Sequence, residues 1–240
     1  MRMQHPISLK TNTGVTLIEV LIVILILSIV CIMFIHAIML ARKSVRRVSC
    51  ENNLSQIGIA LNSYLSLYND VMPAPPNGYS VHVILLPMLD RLVLYNAFNF
   101  SQQYVPTPRY RLSSTISRSL VGTFGCPSDS EFGVTGNVNY ACNTGTGLIS
   151  YGMNGVFTYG RWSKAISVAS ITDGTSNTVA MSEWLVGTSN RARDPKRTVF
   201  MTKVNAKMTA ESLAQDCHEL DIWVAPKCGS KGMSWIAHQM

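Results

Sequence analysis

Gly14-Val15-Thr16-Leu17-Ile18-Glu19-Val20-Leu21-Ile22-Val23-Ile24-Leu25 opens a run that continues to Ala41 with no Asp, Glu, Lys or Arg after Glu19. The 22 residues from Val20 to Ala41 would span roughly 33 Å as a helix, enough for a hydrocarbon core of about 30 Å. Between Val20 and Ile35 there are 13 Leu, Ile, Val or Phe side chains. At about −0.3 to −0.6 kcal/mol each they outweigh the ~2.5–3.5 kcal/mol that one acid costs on the same insertion scale. The stretch therefore predicts a membrane-inserted helix that carries Glu19 at its edge. A cleavable signal peptide has a shorter apolar region followed by an Ala-x-Ala-like site, and no such site follows this run. A lipoprotein signal requires a small residue before its cysteine, but Cys31 follows Val30. A plain signal anchor fits the length and leaves Glu19 unexplained.

Arg2 and Lys10 form a short basic leader, followed by Gly14, one apolar residue, Thr-Leu-Ile-Glu and the unbroken apolar run. This N-terminus resembles those of type IV prepilins and of type II secretion pseudopilins. The resemblance implies cleavage by prepilin peptidase between Gly14 and Val15, with N-methylation of Val15, where the family usually has Phe. It also implies an assembly role for Glu19, as partner of the N-terminal amine of a neighbouring subunit. A buried carboxylate is costly alone, and when paired it can fix a register. The basic residues flanking the span are Arg2 and Lys10 before it and Arg42, Lys43, Arg46 and Arg47 after it. By that count the C-terminal part is expected in the cytoplasm. The resemblance implies the opposite: a single-pass protein of the inner membrane whose C-terminal domain is extracytoplasmic, in the periplasm or at the cell surface.

The chain has 240 residues and a formal charge of +7, which falls to +5 without Arg2 and Lys10. Beyond the span there is room for one compact domain with its own core. The basic excess clusters at 42–47, where anionic head groups are the natural partner. No basic stripe interleaved with aromatics is present, so no nucleic-acid partner is expected. Cys31 lies in the span, and Cys50, Cys126, Cys142, Cys217 and Cys228 follow it with no zinc-like spacing. In an oxidising compartment four of the five can pair. Cys217 with Cys228, closing a short loop, is the first expectation, and Cys50 with Cys126 the second.

Residues 42–68 place Val45, Val48, Leu54, Ile57, Leu61, Tyr64, Leu65 and Tyr68 mostly three or four apart, so a helical stem is expected to continue from the span. Pro73, Pro75 and Pro76 with Asn77-Gly78 are expected to end it. Val81 to Tyr95 has a helical pattern interrupted at Pro87, and residues 99–118 read as an exposed loop. Short strands are expected near 119–124, 155–159, 165–170, 178–186 and 197–203. A helix is expected over Thr209 to Leu220. A long helix followed by an antiparallel sheet gives an α+β class, with a leader at 1–14, a span at 15–41, a stem at 42–70 and a globular domain at 71–240.

The stem sequence Cys50-Glu51-Asn52-Asn53-Leu54-Ser55-Gln56-Ile57-Gly58-Ile59-Ala60-Leu61 resembles the domain of unknown function 1559, a large bacterial group of pilin-like proteins. Leu85-Leu86-Pro87-Met88-Leu89-Asp90, Cys126-Pro127-Ser128-Asp129, Asn139-Tyr140-Ala141, Asn154-Gly155-Val156-Phe157 and Asp173-Gly174-Thr175-Ser176-Asn177 continue the resemblance in order. It extends through Ser182-Glu183 to about residue 190. Chains of that group usually finish with a His-rich loop and a second Asp-Gly turn. This one reaches Met240 without them, so its ending is expected either to have diverged or to be short of the last strands.

Asp173 and Asn177, with Asp129 or Glu183, are the candidate ligands of a calcium ion. The competing reading is a turn in which Asp and Asn bond nearby backbone, and it is preferred. Cys217-His218-Glu219 are adjacent and so converge poorly on one ion. Nothing resembles a nucleophile motif, a phosphate-binding loop or a paired-carboxylate site, and neither catalysis nor a cofactor is expected. The expected function is structural: a prepilin-like subunit entering a pilus or a type II secretion pseudopilus, with prepilin peptidase, other pilin-like subunits and the inner membrane as partners. The alternative is a membrane-anchored module that never polymerises and holds an extracellular ligand.

Overall fold

The computed structural model describes Gly14, residues 16–101, Ile116, 119–130, 136–145, 155–158, 165–187, Arg197, 199–200, 210–219 and 227–228. Helix α1 spans Leu17–Leu67, 51 residues. Contacts divide the chain at Val45/Arg46, and each part is described by itself.

In the first part α1 is exposed along its whole apolar length, Val20 to Leu40 included. Its few polar side chains bond their own helix. Ser28 Oγ donates to the Leu25 carbonyl at 2.7 Å, and His36 Nδ1 lies 3.1 Å from the Ile32 carbonyl. A side chain that caps its own turn in this way can enter hydrocarbon without an orphaned donor.

In the second part α1 buries Cys50, Ile57, Ala60 and Leu61, with Leu54, Tyr64 and Leu65 packed beside them. The expected face is thus observed from Leu54 to Leu65, whereas Val45, Val48 and Tyr68 are exposed. The helix stops before the prolines. Asn69 and Asp70 take φ of 52° and 58°, and Asp70 N donates to Leu65 O at 2.9 Å, a left-handed C-terminal cap in which Asn and Asp are tolerated.

The pattern from Val81 to Tyr95 resolves into two helices. These are α2 (Val81–Leu85), which passes into a 3₁₀ turn at Leu86–Leu89, and α3 (Leu92–Asn96). Asp90, at φ 58°, separates them. Val81, Val83, Leu85 and Leu86 join Tyr79, Phe124, Tyr140 and Phe157 in the core. Tyr79 meets Phe98 and Phe100 edge-on at 5.7 and 5.3 Å, the arrangement that aromatic quadrupoles favour.

Strand β1 (Tyr140–Cys142) pairs antiparallel with β2 (Met181–Glu183), with Tyr140 opposite Glu183. Strand β3 (Val199–Phe200) pairs antiparallel with β4 (Lys227–Cys228). Helix α4 spans Ala210–Glu219, close to the expected Thr209 to Leu220. The class is α+β and pilin-like: a long apolar N-terminal helix followed by a small domain with antiparallel pairing.

Three expected strands are corrected. Residues 119–124 hold a 3₁₀ turn at Gly122–Phe124, and the carbonyls of Gly122 and Gly125 accept from the Asn53 amide at 3.4 and 2.8 Å. Those acceptors bond the stem and not a neighbouring strand. Residues 155–158 form no strand and bond 143–144 through Gly155 N to Thr144 O and Phe157 N to Asn143 O. The segment 165–170 makes one bridge, Val71 with Ser167, before turning at Val168–Ser170. Of the expected loop at 99–118, residues 102–115 and 117–118 lie outside the described residues.

Candidate functional site

At the N-terminal end of α1, Thr16 and Glu19 close on one another. Glu19 Oε2 accepts from Thr16 N at 2.9 Å and from Thr16 Oγ1 at 3.0 Å, while Glu19 N donates to Thr16 Oγ1 at 3.4 Å. This is a reciprocal capping box, in which the first residue of the turn and the acid three places on satisfy each other's orphan donors. Both are exposed, and among the described residues no cation pairs with Glu19. Gly14 is exposed, with open space where a Cβ would stand, and Val15 lies outside the described residues. The apolar stretch behind this cap is the one described helix long and apolar enough to cross a membrane.

Further along, Cys50 of the stem is joined to Cys126 by a disulfide with Cα atoms 4.8 Å apart. Both are buried, and Ser128 Oγ lies 3.6 Å from Cys50 Sγ. Among the described residues Cys31 and Cys142 are free, and burial pushes the Cys142 thiol up to about 12. Cys217 falls in α4 and Cys228 in β4, but their side chains lie outside what is described, as does any bond between them.

The loop that follows Cys126 is held by a buried polar cluster. Asp129 Oδ1 pairs with Arg197 Nη2 at 2.6 Å, with both side chains nearly inaccessible. Asp129 Oδ2 accepts from Asn139 Nδ2 at 2.7 Å and from Val186 N at 2.9 Å. Asn139 Oδ1 in turn accepts from Cys126 N at 2.9 Å, and Arg197 Nη1 donates to Val186 O. One carboxylate thus ties together the Cys126 loop, the start of β1, the chain after β2 and Arg197. Arg197 has no sequence signal: one of four basic residues among Arg191, Arg193, Lys196 and Arg197, it reads as part of a solvated basic stretch.

His82 sits in the core, its Nε2 2.9 Å from the Tyr140 carbonyl and its ring edge-on to Phe124. The carbonyl accepts, so Nε2 carries the proton, and Nδ1 has no partner among the described residues. Burial lowers the imidazole to about 4, with the Tyr140 bond opposing the shift. Tyr140 donates its hydroxyl to Cys50 O at 3.0 Å, and burial raises the phenol to about 12.

Asp173 to Asn177 forms a turn. Gly174 has φ 79°, Asn177 Nδ2 donates to Asp173 O at 3.0 Å, and Thr178 Oγ1 donates to Gly174 O. The turn borders an open cleft of about 210 Å³ with Ile166, Ile171 and Gly155 on its walls. Of the acids that could complete a calcium site, Asp129 is held by Arg197 and Glu183 is exposed on β2.

A family model described as a protein of unknown function, DUF1559, matches residues 39–239. The chain belongs to this family. Residues 9–35 of the DUF1559 chain match the prokaryotic N-terminal methylation motif, a window that contains Gly14, Val15, Thr16 and Glu19. The motif and the apolar helix together make this a prepilin-like, membrane-anchored DUF1559 protein. No curated protein and no solved structure matches it.

Proposed function

We propose that the protein is a structural prepilin-like subunit, cut by prepilin peptidase after Gly14, N-methylated on Val15, and assembled with other pilin-like subunits into a pilus or a type II secretion pseudopilus. The observation that carries this reading is the match to the methylation motif directly ahead of an exposed apolar helix. The domain from residue 71 onward is assigned to the extracytoplasmic side. The buried Cys50–Cys126 disulfide supports that side, since such bonds persist in oxidising compartments. Assembly then proceeds by α1 helices packing together, with the charge of Glu19 neutralised by the amine of an adjacent subunit.

The capping box gives Glu19 a second task, and two substitutions separate the tasks. Glu19→Gln keeps an acceptor for the Thr16 donors and removes the charge, whereas Glu19→Ala removes both. If the charge drives assembly, both variants insert in the membrane normally and both fail to enter filaments. Normal incorporation of Glu19→Gln overturns the charge-pairing role and leaves the cap alone.

A further inference from the structure

Where the stem, the Cys126 loop and β2 converge, the two cysteine sulfurs and a Glu183 carboxylate oxygen all lie within 4.8 Å of one another. Cys50 and Cys126 are buried at 3% and 1% exposure, and Glu183, exposed on β2, pairs across the ladder with Tyr140. We propose that in the dithiol state Cys50, Cys126 and Glu183 hold a divalent, thiophilic cation of the zinc type, so that the ion and the disulfide are alternative occupants of one place.

The geometry argues for this in three steps. Unbonded, two sulfurs settle at roughly 3.8 Å, which is also the separation of two thiolates on one tetrahedral zinc with Zn–S near 2.3 Å. The cysteine Cα atoms, 4.8 Å apart, allow that change through side-chain rotation. The carboxylate is already within reach as a third ligand and leaves a fourth position for water, beside Ser128. Electrostatics agrees, because two cysteines that lose their protons beside a carboxylate form a cluster of negative charge that a dication largely offsets. Glu183 faces solvent and supplies the ion's route of entry.

Loading forms two Zn–S bonds and one Zn–O bond and releases two thiol protons. Oxidation by a disulfide carrier reverses it by thiol–disulfide exchange: the S–S bond of Cys50–Cys126 forms, the carrier's S–S bond breaks, the carrier leaves as two thiolates, and the ion departs. A chain that folds before it is oxidised would thus have its stem and loop already clipped together by the metal.

The test uses the full chain in detergent micelles, reduced anaerobically with a phosphine, freed of reductant and titrated with Co²⁺ as the probe. Expected is tetrahedral cobalt with thiolate-to-cobalt charge transfer, absent from the oxidised chain. Cys126→Ser should abolish it, and Glu183→Gln, at an exposed position that tolerates the change, should weaken binding at least tenfold. Circular dichroism reports whether Cys126→Ser has folded. If it has not, Glu183→Gln alone decides. Failure to take up cobalt overturns the proposal. So does uptake that Glu183→Gln leaves unchanged, or uptake that survives in folded Cys126→Ser, which would place the ion on the other cysteines.

Discussion

Asp129 is the residue on which most of the domain's polar order converges, because its two oxygens serve an arginine, an amide and a backbone N–H. Removing one partner of a buried ion pair leaves the other charged and dry, which costs about 3–5 kcal/mol. Asp129→Ala should therefore lower the unfolding free energy of the micelle-held chain, measured by urea titration, by that amount, while the exposed Arg47–Glu51 pair should be worth under about 1 kcal/mol. His82 gives the domain a pH dependence. Its folded value, about 4, lies below the usual ~6.5, so the unfolded chain binds the extra proton between those limits. Stability is full above about pH 6.5 and declines by about 3 kcal/mol as the pH falls through 4. Urea midpoints taken across that range should show the decline, and His82→Gln should flatten it. These roles were only partly readable beforehand. Glu19 stands out as an acid at the edge of a charge-free run, but Asp129 reads equally well as a calcium ligand until Arg197 is placed beside it. That partner is 68 residues away in the chain, and no local pattern connects them.

At the level of helices and strands, the stem is held to the domain by one covalent bond and by its packed face. Cys50 and Cys126 close a loop of 76 residues, which in the chain-entropy account is worth about 4 kcal/mol. Cys126→Ser should lower stability by that much without altering membrane insertion, as checked by urea unfolding beside a carbonate-extraction assay. Helices were legible because α1 and α4 repeat apolar positions over several turns, and such repetition survives local exceptions. Strands were not. β1 and β2 have three residues each and β3 and β4 two, too few for a period of two to emerge. Tyr140-Ala141-Cys142 gave no alternation at all, while 119–124 offered strand-like side chains but turns at Gly122–Phe124, where the Gly122 carbonyl accepts from the stem's Asn53. The end of α1 at Leu67 matches the 42–68 pattern, but its stop signal was misattributed: prolines are conspicuous, yet Asn69 and Asp70 end the helix first by entering the left-handed region.

For the whole molecule, membership of DUF1559 and the methylation motif fix what kind of chain this is, and with the exposed apolar half of α1 they mark a membrane anchor. The proposed function requires maturation: in the filament we propose, Glu19 meets a neighbour's amine only after the basic leader has been removed. An intact-mass spectrum of the protein extracted from its native membrane tests this most directly. The account predicts a chain beginning at Val15, lighter by residues 1–14 and heavier by one methyl group. A mass that retains Met1 to Gly14 would contradict it.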